Sequence, residues 1–300
     1  MPAYPTRPIR IVVGFTPGGQ PDITARAIAV KLTEVLRQQV VVDNRPGAGG
    51  TLGTKIVAEA NPDGHTLLSV SASHAIQPVV YEKLPYDTLR DFAGITTTAS
   101  SSYMLVVPVS LPVKSVQDLI ALAKAKPGQL NFGSAGNGSG THFAAELLKS
   151  TAQVDVVHVP YKGIPEALTD TIAGRVQFFM TPPVTLGTMV KDGKVRALGV
   201  TGRRRVRSYP DVPTIAEAGV SGFVWESWAG LLAPARTPRE VVMKLNREIT
   251  AILKMPDIQQ RFVGLGTEPT PSTPAEFDKL IASELKRVAE LARKAGITPQ

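Results

Sequence analysis

Ile9-Arg10-Ile11-Val12-Val13 runs into Gly14-Phe15-Thr16-Pro17-Gly18-Gly19, and Ile28, Leu32, Val35 and Leu36 then recur at i, i+4, i+7 and i+8. A β-branched run, a glycine turn and an amphipathic helix in that order form the repeating unit of α/β proteins. Outward from it the alternation continues. Val40-Val41-Val42 is the next strand and Asn44-Arg45-Pro46-Gly47-Ala48-Gly49-Gly50 a second glycine loop, with a helix near 51–60 and a strand at 66–70. A similar second unit follows. Its first strand is 104–107, and a helix near 115–126 carries Val116, Leu119, Ile120 and Ala123 on one face. A strand at 130–133 enters the loop 134–140, and a helix from Thr141 to about Ser150 leaves it. Strands are expected at 154–159, 176–180, 195–201 and 230–233, a helix at 165–173, and two long helices at the end. The expected fold class is α/β with mainly parallel strands.

With 300 residues, the chain has room for about two domains of roughly 150 residues. Hydrophobic residues make up 43 % and charged residues 19 %, which excludes a disordered chain. Glycine (26) and proline (25) are in excess without a Gly-X-Y period, so they belong to turns and loops and not to a fibre. The net charge of +8 favours anionic partners in general, whether nucleic acid, anionic lipid or acidic solutes. Without cysteine, disulfides, thiolate metal sites and cysteine nucleophiles are excluded. No apolar run approaches the ~18 residues of a spanning helix. Met1-Pro2-Ala3-Tyr4-Pro5 lacks the charged and then apolar pattern of a secretion signal. The chain is therefore expected to be cytosolic, or to have lost its signal.

Two glycine/hydroxyl loops carry the chemistry. Phe15-Thr16-Pro17-Gly18-Gly19 and Ser134-Ala135-Gly136-Asn137-Gly138-Ser139-Gly140-Thr141 each lie between a strand and a helix. There the first helical N–H groups face outward, the dipole favours negative charge, and glycine lets a ligand approach the backbone. Ordinary capping explains either loop alone. The pair leaves both readings open: capping, or one anion site shared between the units.

Specific nucleotide sites fail on their missing residues. Gly133 and Gly138 have P-loop spacing, but Ser139-Gly140 follows where lysine is required. Gly47-Ala48-Gly49 puts Leu52 at the third glycine of a dinucleotide fingerprint. Neutral donors suit a carboxylate better. Ser139 is not in a Gly-x-Ser-x-Gly elbow, and His65, His74, His142 and His158 show no metal spacing. No cofactor, metal or catalytic residue is expected. His74 and His142 are either donors or packing residues, and Asp22 is either a ligand contact or a helix-dipole partner. Arg203-Arg204-Arg205 with Arg207 lacks the aromatic interleaving of a nucleic-acid footprint, so no nucleic acid is expected.

At these same loops the sequence resembles the Bug (TctC-like) family, periplasmic receptors of tripartite tricarboxylate transporters. The resemblance runs from Tyr4 onward through Pro17-Gly18-Gly19 with Asp22, Asn44-Arg45-Pro46-Gly47-Ala48-Gly49-Gly50, Asn61-Pro62-Asp63-Gly64 and Leu84-Pro85-Tyr86-Asp87. It continues through Ala123-Lys124-Ala125-Lys126-Pro127-Gly128, Ser134-Ala135-Gly136-Asn137-Gly138, His158-Val159-Pro160-Tyr161-Lys162-Gly163, Asp211-Val212-Pro213-Thr214 and Gly230-Leu231-Leu232-Ala233-Pro234. Each piece is weak alone; their order and spacing are specific.

The resemblance implies a two-lobed periplasmic-binding-protein fold, with Rossmann-like lobes of residues 4–103 plus 230–300 and 104–229. Two hinge strands, near 104–108 and 228–234, would join them. It implies a periplasmic monomer that hands a small organic carboxylate to membrane subunits. In the family, backbone N–H groups, small hydroxyl residues and waters hold the carboxylate. Carried over, the first-lobe contacts are Phe15, Thr16, Pro17, Gly18, Gly19, Asp22, Ser71, Ser73 and His74, the last three on a neighbouring loop. Those of the second are Ala135, Gly136, Asn137, Gly138, Ser139, Gly140, Thr141, Tyr161, Lys162 and Thr181. Two departures bear on the ligand. Thr181 stands where many relatives have an acid that would suit an ammonium group, and Gln20-Pro21 replaces a small Ser-like pair. An ammonium-free acid is expected, either aromatic and nicotinate-like or a dicarboxylate. The alternatives are an amino-acid (glutamate or aspartate) receptor and an enzyme of small organic anions.

Overall fold

Ile9, Ile11, Val12 and Val13 are fully buried, as a strand covered on both faces requires. The computed structural model describes residues 4–295, 297 and 299. The chain starts with β1 (Ile9–Val13), α1 (Gln20–Leu36), β2 (Val40–Asn44), α2 (Thr51–Ala58), β3 (Thr66–Ser71), α3 (Ser73–Val80) and β4 (Phe92–Ser102). It then crosses to β5 (Met104–Pro108), α4 (Val116–Ala125), β6 (Asn131–Ser134), α5 (Gly140–Ala152), β7 (Val157–Pro160), α6 (Ile164–Ile172), β8 (Phe178–Thr181) and β9 (Val195–Val200). It returns through β10 (Glu226–Pro234), α7 (Arg239–Leu253), α8 (Pro256–Gly264), β11 (Glu268–Pro269) and α9 (Pro274–Ala295).

Two sheets result, and each is the floor of one lobe. The first has the order β11-β4-β10-β3-β1-β2, the second β7-β6-β8-β5-β9. The expectation of mainly parallel strands is corrected here. Among the described residues only four of the nine strand pairings are parallel. Three of the five antiparallel ones involve the long strands β4 and β10, which pair from Glu226–Ser102 to Pro234–Phe92, and the other two involve β5. β4 reads Phe-Ala-Gly-Ile-Thr-Thr-Thr-Ala-Ser-Ser-Ser and shows no apolar alternation, although Thr96, Thr97 and Thr98 are buried.

One apolar cluster packs α1 and α7 on the first sheet through Ile28, Leu32, Leu245 and Ile249. The opposite face is closed by Phe277 and Ile281 of α9 against Leu68 and Leu232. The second lobe's cluster, around Phe132 and Phe143, also takes in Ile76 and Val80 of α3 and Val288 and Ala292 of α9. The C-terminal helix therefore packs against both lobes.

β5 lies wholly in the second sheet and β10 wholly in the first, so the passages between lobes are Tyr103 and the segment 201–225. Hydrogen bonds join them. The Tyr103 N–H donates to Thr201 Oγ1 (2.7 Å), Thr201 Oγ1–H donates to the Trp225 carbonyl (2.6 Å), and the Thr201 N–H donates to the Tyr103 carbonyl (2.8 Å).

Candidate functional site

Three helices start at the gap between the lobes. α1 starts behind Gly19, α5 behind Ser139 and α6 behind Gly163. The N–H groups of a first turn have no acceptor in their own helix and carry partial positive charge. Pro21 and Pro165 sit in the first turns of α1 and α6, where proline costs no hydrogen bond. Residues of all three helix starts (Gly19 and Gln20, Ser139 to Thr141, and Ile164) line one small cavity of about 30 Å3. That is room for a few waters, so the lobes stand closed on one another. No charged side chain lines this cavity.

The first lobe contributes Phe15, Gly19 and Ser71 from among the residues singled out in the sequence, and the second contributes Ala135, Ser139, Gly140 and Thr141. Hydroxyls fix the second-lobe wall. Ser139 Oγ accepts the His142 N–H (3.2 Å) and shares a hydrogen bond with Thr141 Oγ1 (2.9 Å), which in turn accepts the Ala135 N–H (2.8 Å). Ser71 Oγ pairs with Ser73 Oγ at 3.0 Å, and Ser73 opens α3.

The other residues stand back from the wall, most with partners of their own. The buried Asp22 carboxylate accepts from the Gly18 N–H (2.9 Å), Asn44 Nδ2 (3.0 Å) and Arg26 Nε (3.0 Å), which braces the first loop from behind. Thr16 Oγ1 donates across the gap to Glu166 Oε2 at 3.3 Å. Pro17 and Lys162 are exposed. Gly136 donates to Ser134 Oγ at 3.0 Å, Gly138 faces Tyr81, and the Asn137 carbonyl accepts the Tyr81 hydroxyl at 3.2 Å. Thr181 Oγ1 pairs with Thr185 Oγ1 at 2.7 Å. The Tyr161 hydroxyl donates to Asp170 at 2.7 Å, and burial together with that carboxylate pushes its pKa up to about 12.

His74, His142 and His158 are neutral packing groups. His74 lies on α3 among Tyr86 and Phe92, and burial pulls its pKa down to about 4. His142 stacks on His158 at 4.0 Å, and burial, then the neighbouring His158 and Lys149, lowers it to about 3. The positive potential in the cavity is therefore that of helix dipoles and amides.

Five wall residues were not read as contacts from the sequence: Gln20, Pro21, Tyr103, Ile164 and Pro182. Gln20-Pro21 left a trace, as a departure from the family pattern. Gln20 is buried; its Nε2 donates to Ser101 Oγ at 3.0 Å, while its Oε1 has no partner. The Tyr103 hydroxyl donates to Ser227 Oγ at 3.1 Å, and burial holds its pKa up at about 12. Among the described residues no carboxylate and histidine cluster could hold a metal, and no helix is long and apolar enough to cross a membrane.

The sequence profile of the tripartite tricarboxylate transporter family receptor, TctC, matches residues 24–297. The chain belongs to this family. This TctC receptor is 35 % identical to BugT of Bordetella pertussis over 295 residues, covering 98 % of this chain and 90 % of BugT. Among solved structures, R. palustris Rpa4515 with adipate superposes with a TM-score of 0.96 at 36 % identity, covering 99 % and 100 % of the two chains. MatC from Rhodopseudomonas palustris with bound malate superposes at 0.90 with 31 % identity, covering 96 % and 99 %. The TctC receptor is thus a two-lobed solute-binding protein, and the cavity at its helix starts lies between the lobes.

Proposed function

We propose that this receptor captures a small ammonium-free carboxylate, preferably a dicarboxylate, between its lobes in the periplasm and presents it to membrane subunits of a tripartite transporter. One observation carries the reading: three helix N-termini from two lobes meet in a cavity without a charged side chain. An anion there draws first-turn N–H groups from both sides, contacts that separated lobes cannot make together, so binding favours closure. The relatives solved with adipate and malate support the dicarboxylate class.

An amino acid needs an anionic acceptor for its ammonium group, and no carboxylate lines the wall. The Phe15 ring in the wall favours a second reading, a planar aromatic acid such as nicotinate. Calorimetry on refolded protein with adipate, malate, succinate, nicotinate, glutamate and aspartate decides. Binding of a dicarboxylate without the amino acids is expected. Tight glutamate or aspartate binding with none for the other acids would overturn the proposal.

A further inference from the structure

The protein has a larger cavity than the one between the helix starts. An open cavity of about 450 Å3 lies on the other side of the hinge. Its basic wall is the run 203–207, with Arg203, Arg204, Arg205 and Arg207. Arg205 pairs with Glu217 at 2.9 Å and Arg207 with Glu268 at 3.7 Å, whereas Arg203 and Arg204 form no ion pair among the described residues. The opposite wall carries Ser100, Ser101 and Ser102 from the end of β4. Glu226 and Glu268 also line the space, against four arginines, of which Arg205 commits its guanidinium to Glu217 and the Pro210 carbonyl.

We infer that this cavity is a second ligand site, for a small multivalent oxyanion (carboxylate or phosphate), and that its occupancy is coupled to closure of the lobes. A volume of 450 Å3 suits a small molecule. Guanidinium forks bind carboxylate or phosphate oxygens in pairs. Ser100 and Ser102, which share one face of β4, supply neutral donors opposite, while Ser101 points to the other face toward Gln20. The coupling follows from who builds the walls. The run 203–207 leaves the second sheet and is anchored there, since Val200 bridges Thr214 and Arg205 holds Glu217. The serines and Glu268 belong to the first sheet. An anion touching both walls binds best at one lobe separation, the one seen here, and so favours the closed arrangement. Ser101 also accepts from Gln20, so a single strand separates the two cavities.

The test titrates pyrophosphate and citrate, each at fixed ionic strength, into wild-type protein and the double variant R203A/R204A. At least one anion should bind the wild type tenfold or more tightly than the variant, and which one does assigns the oxyanion class. Unchanged melting of the exposed-loop variant verifies its fold, and Arg204→Glu provides a second, stronger test. Equal affinity for both proteins, or no binding to wild type, overturns the site. Tighter arginine-dependent binding of a hexaglutamate peptide than of either small anion overturns it in favour of an acidic protein segment. Small-angle scattering reads the coupling: saturating anion should lower the radius of gyration of the wild type but not of the variant, and no change in either overturns the link to closure.

Discussion

Gly49 of the first lobe stands directly against the backbone carbonyl of Asn137 in the second, so close that a methyl group on Gly49 would overlap that oxygen. Neither side has slack. The Gly49 carbonyl accepts from Gln77 Nε2 at 2.7 Å, and the Asn137 carbonyl accepts from Tyr81 at 3.2 Å. The glycine-rich loop 44–50 thus sets how near the lobes come, although none of its residues lines the cavity.

Gly49→Ala is therefore expected to obstruct closure. Its φ of +61° also places alanine in the left-handed region, at a cost on the order of 1 kcal/mol. Ligand affinity by calorimetry should fall tenfold or more, while the melting temperature without ligand drops by only a few degrees. Unchanged affinity would show that the lobes need not approach this closely to bind.

Thr141 tests the second-lobe wall. Thr141→Val leaves the buried Ala135 N–H without its acceptor and should cost about 1–3 kcal/mol in denaturant unfolding. Thr141→Ser keeps the hydroxyl and should restore most of that stability. A loss in Thr141→Ser with none in Thr141→Val would assign the effect to packing by the methyl group.

Gln20 separates binding from stability. Gln20→Leu removes a buried oxygen that has no partner and one hydrogen bond to Ser101 Oγ, so the unliganded protein should lose about 1 kcal/mol or less. A carboxylate brings no proton to that acceptor oxygen, so affinity for a bound acid should rise or stay within about threefold. A tenfold loss of affinity would show that the Gln20 amide donates to the ligand.

The buried histidines give the protein an acid-sensitive stability. His74, His142 and His158 are held at about 4, 3 and 4, below the ~6.5 of an exposed histidine. Between about pH 6.5 and pH 4 the unfolded chain takes up protons that the folded chain refuses. Stability is therefore fully present above pH 6.5 and declines as the pH falls through that window, by up to about 1.4 kcal/mol per pH unit for each histidine. In denaturant unfolding from pH 7 to 4.5, His74→Phe should lower the slope by about one proton. An unaltered slope would mean that His74 titrates normally.

The sequence exposed the parts of this fold in which apolar spacing and backbone geometry agree. β1, the turn behind it and α1 lie where the run 9–19 and the i, i+4, i+7 pattern predict them. β4 was hidden because many of its buried positions are threonines and serines, whose hydroxyls find acceptors only in the fold, as Thr96 does at the carbonyls of Thr97 and the distant Ser272. α3 was hidden by its length of eight residues and by Pro78 inside it. The two glycine loops could be found from sequence because a strand, glycines and a helix are contiguous there. Tyr103 and Pro182 could not, since they reach the cavity through the crossing of two sheets and not through any local motif.

The uncharged lining of the inter-lobe cavity has a consequence for unloading. A cavity lined with arginine would strand a bare cation each time the solute left, and departure would be slow. Here the polar groups left behind are amides and hydroxyls, set among Phe15, Pro21, Ile164 and Pro182, and water satisfies them as soon as the lobes part. Each lobe keeps only half of the donors. A partner that pries the lobes open has only to break a set of neutral hydrogen bonds, and the solute is free to move on.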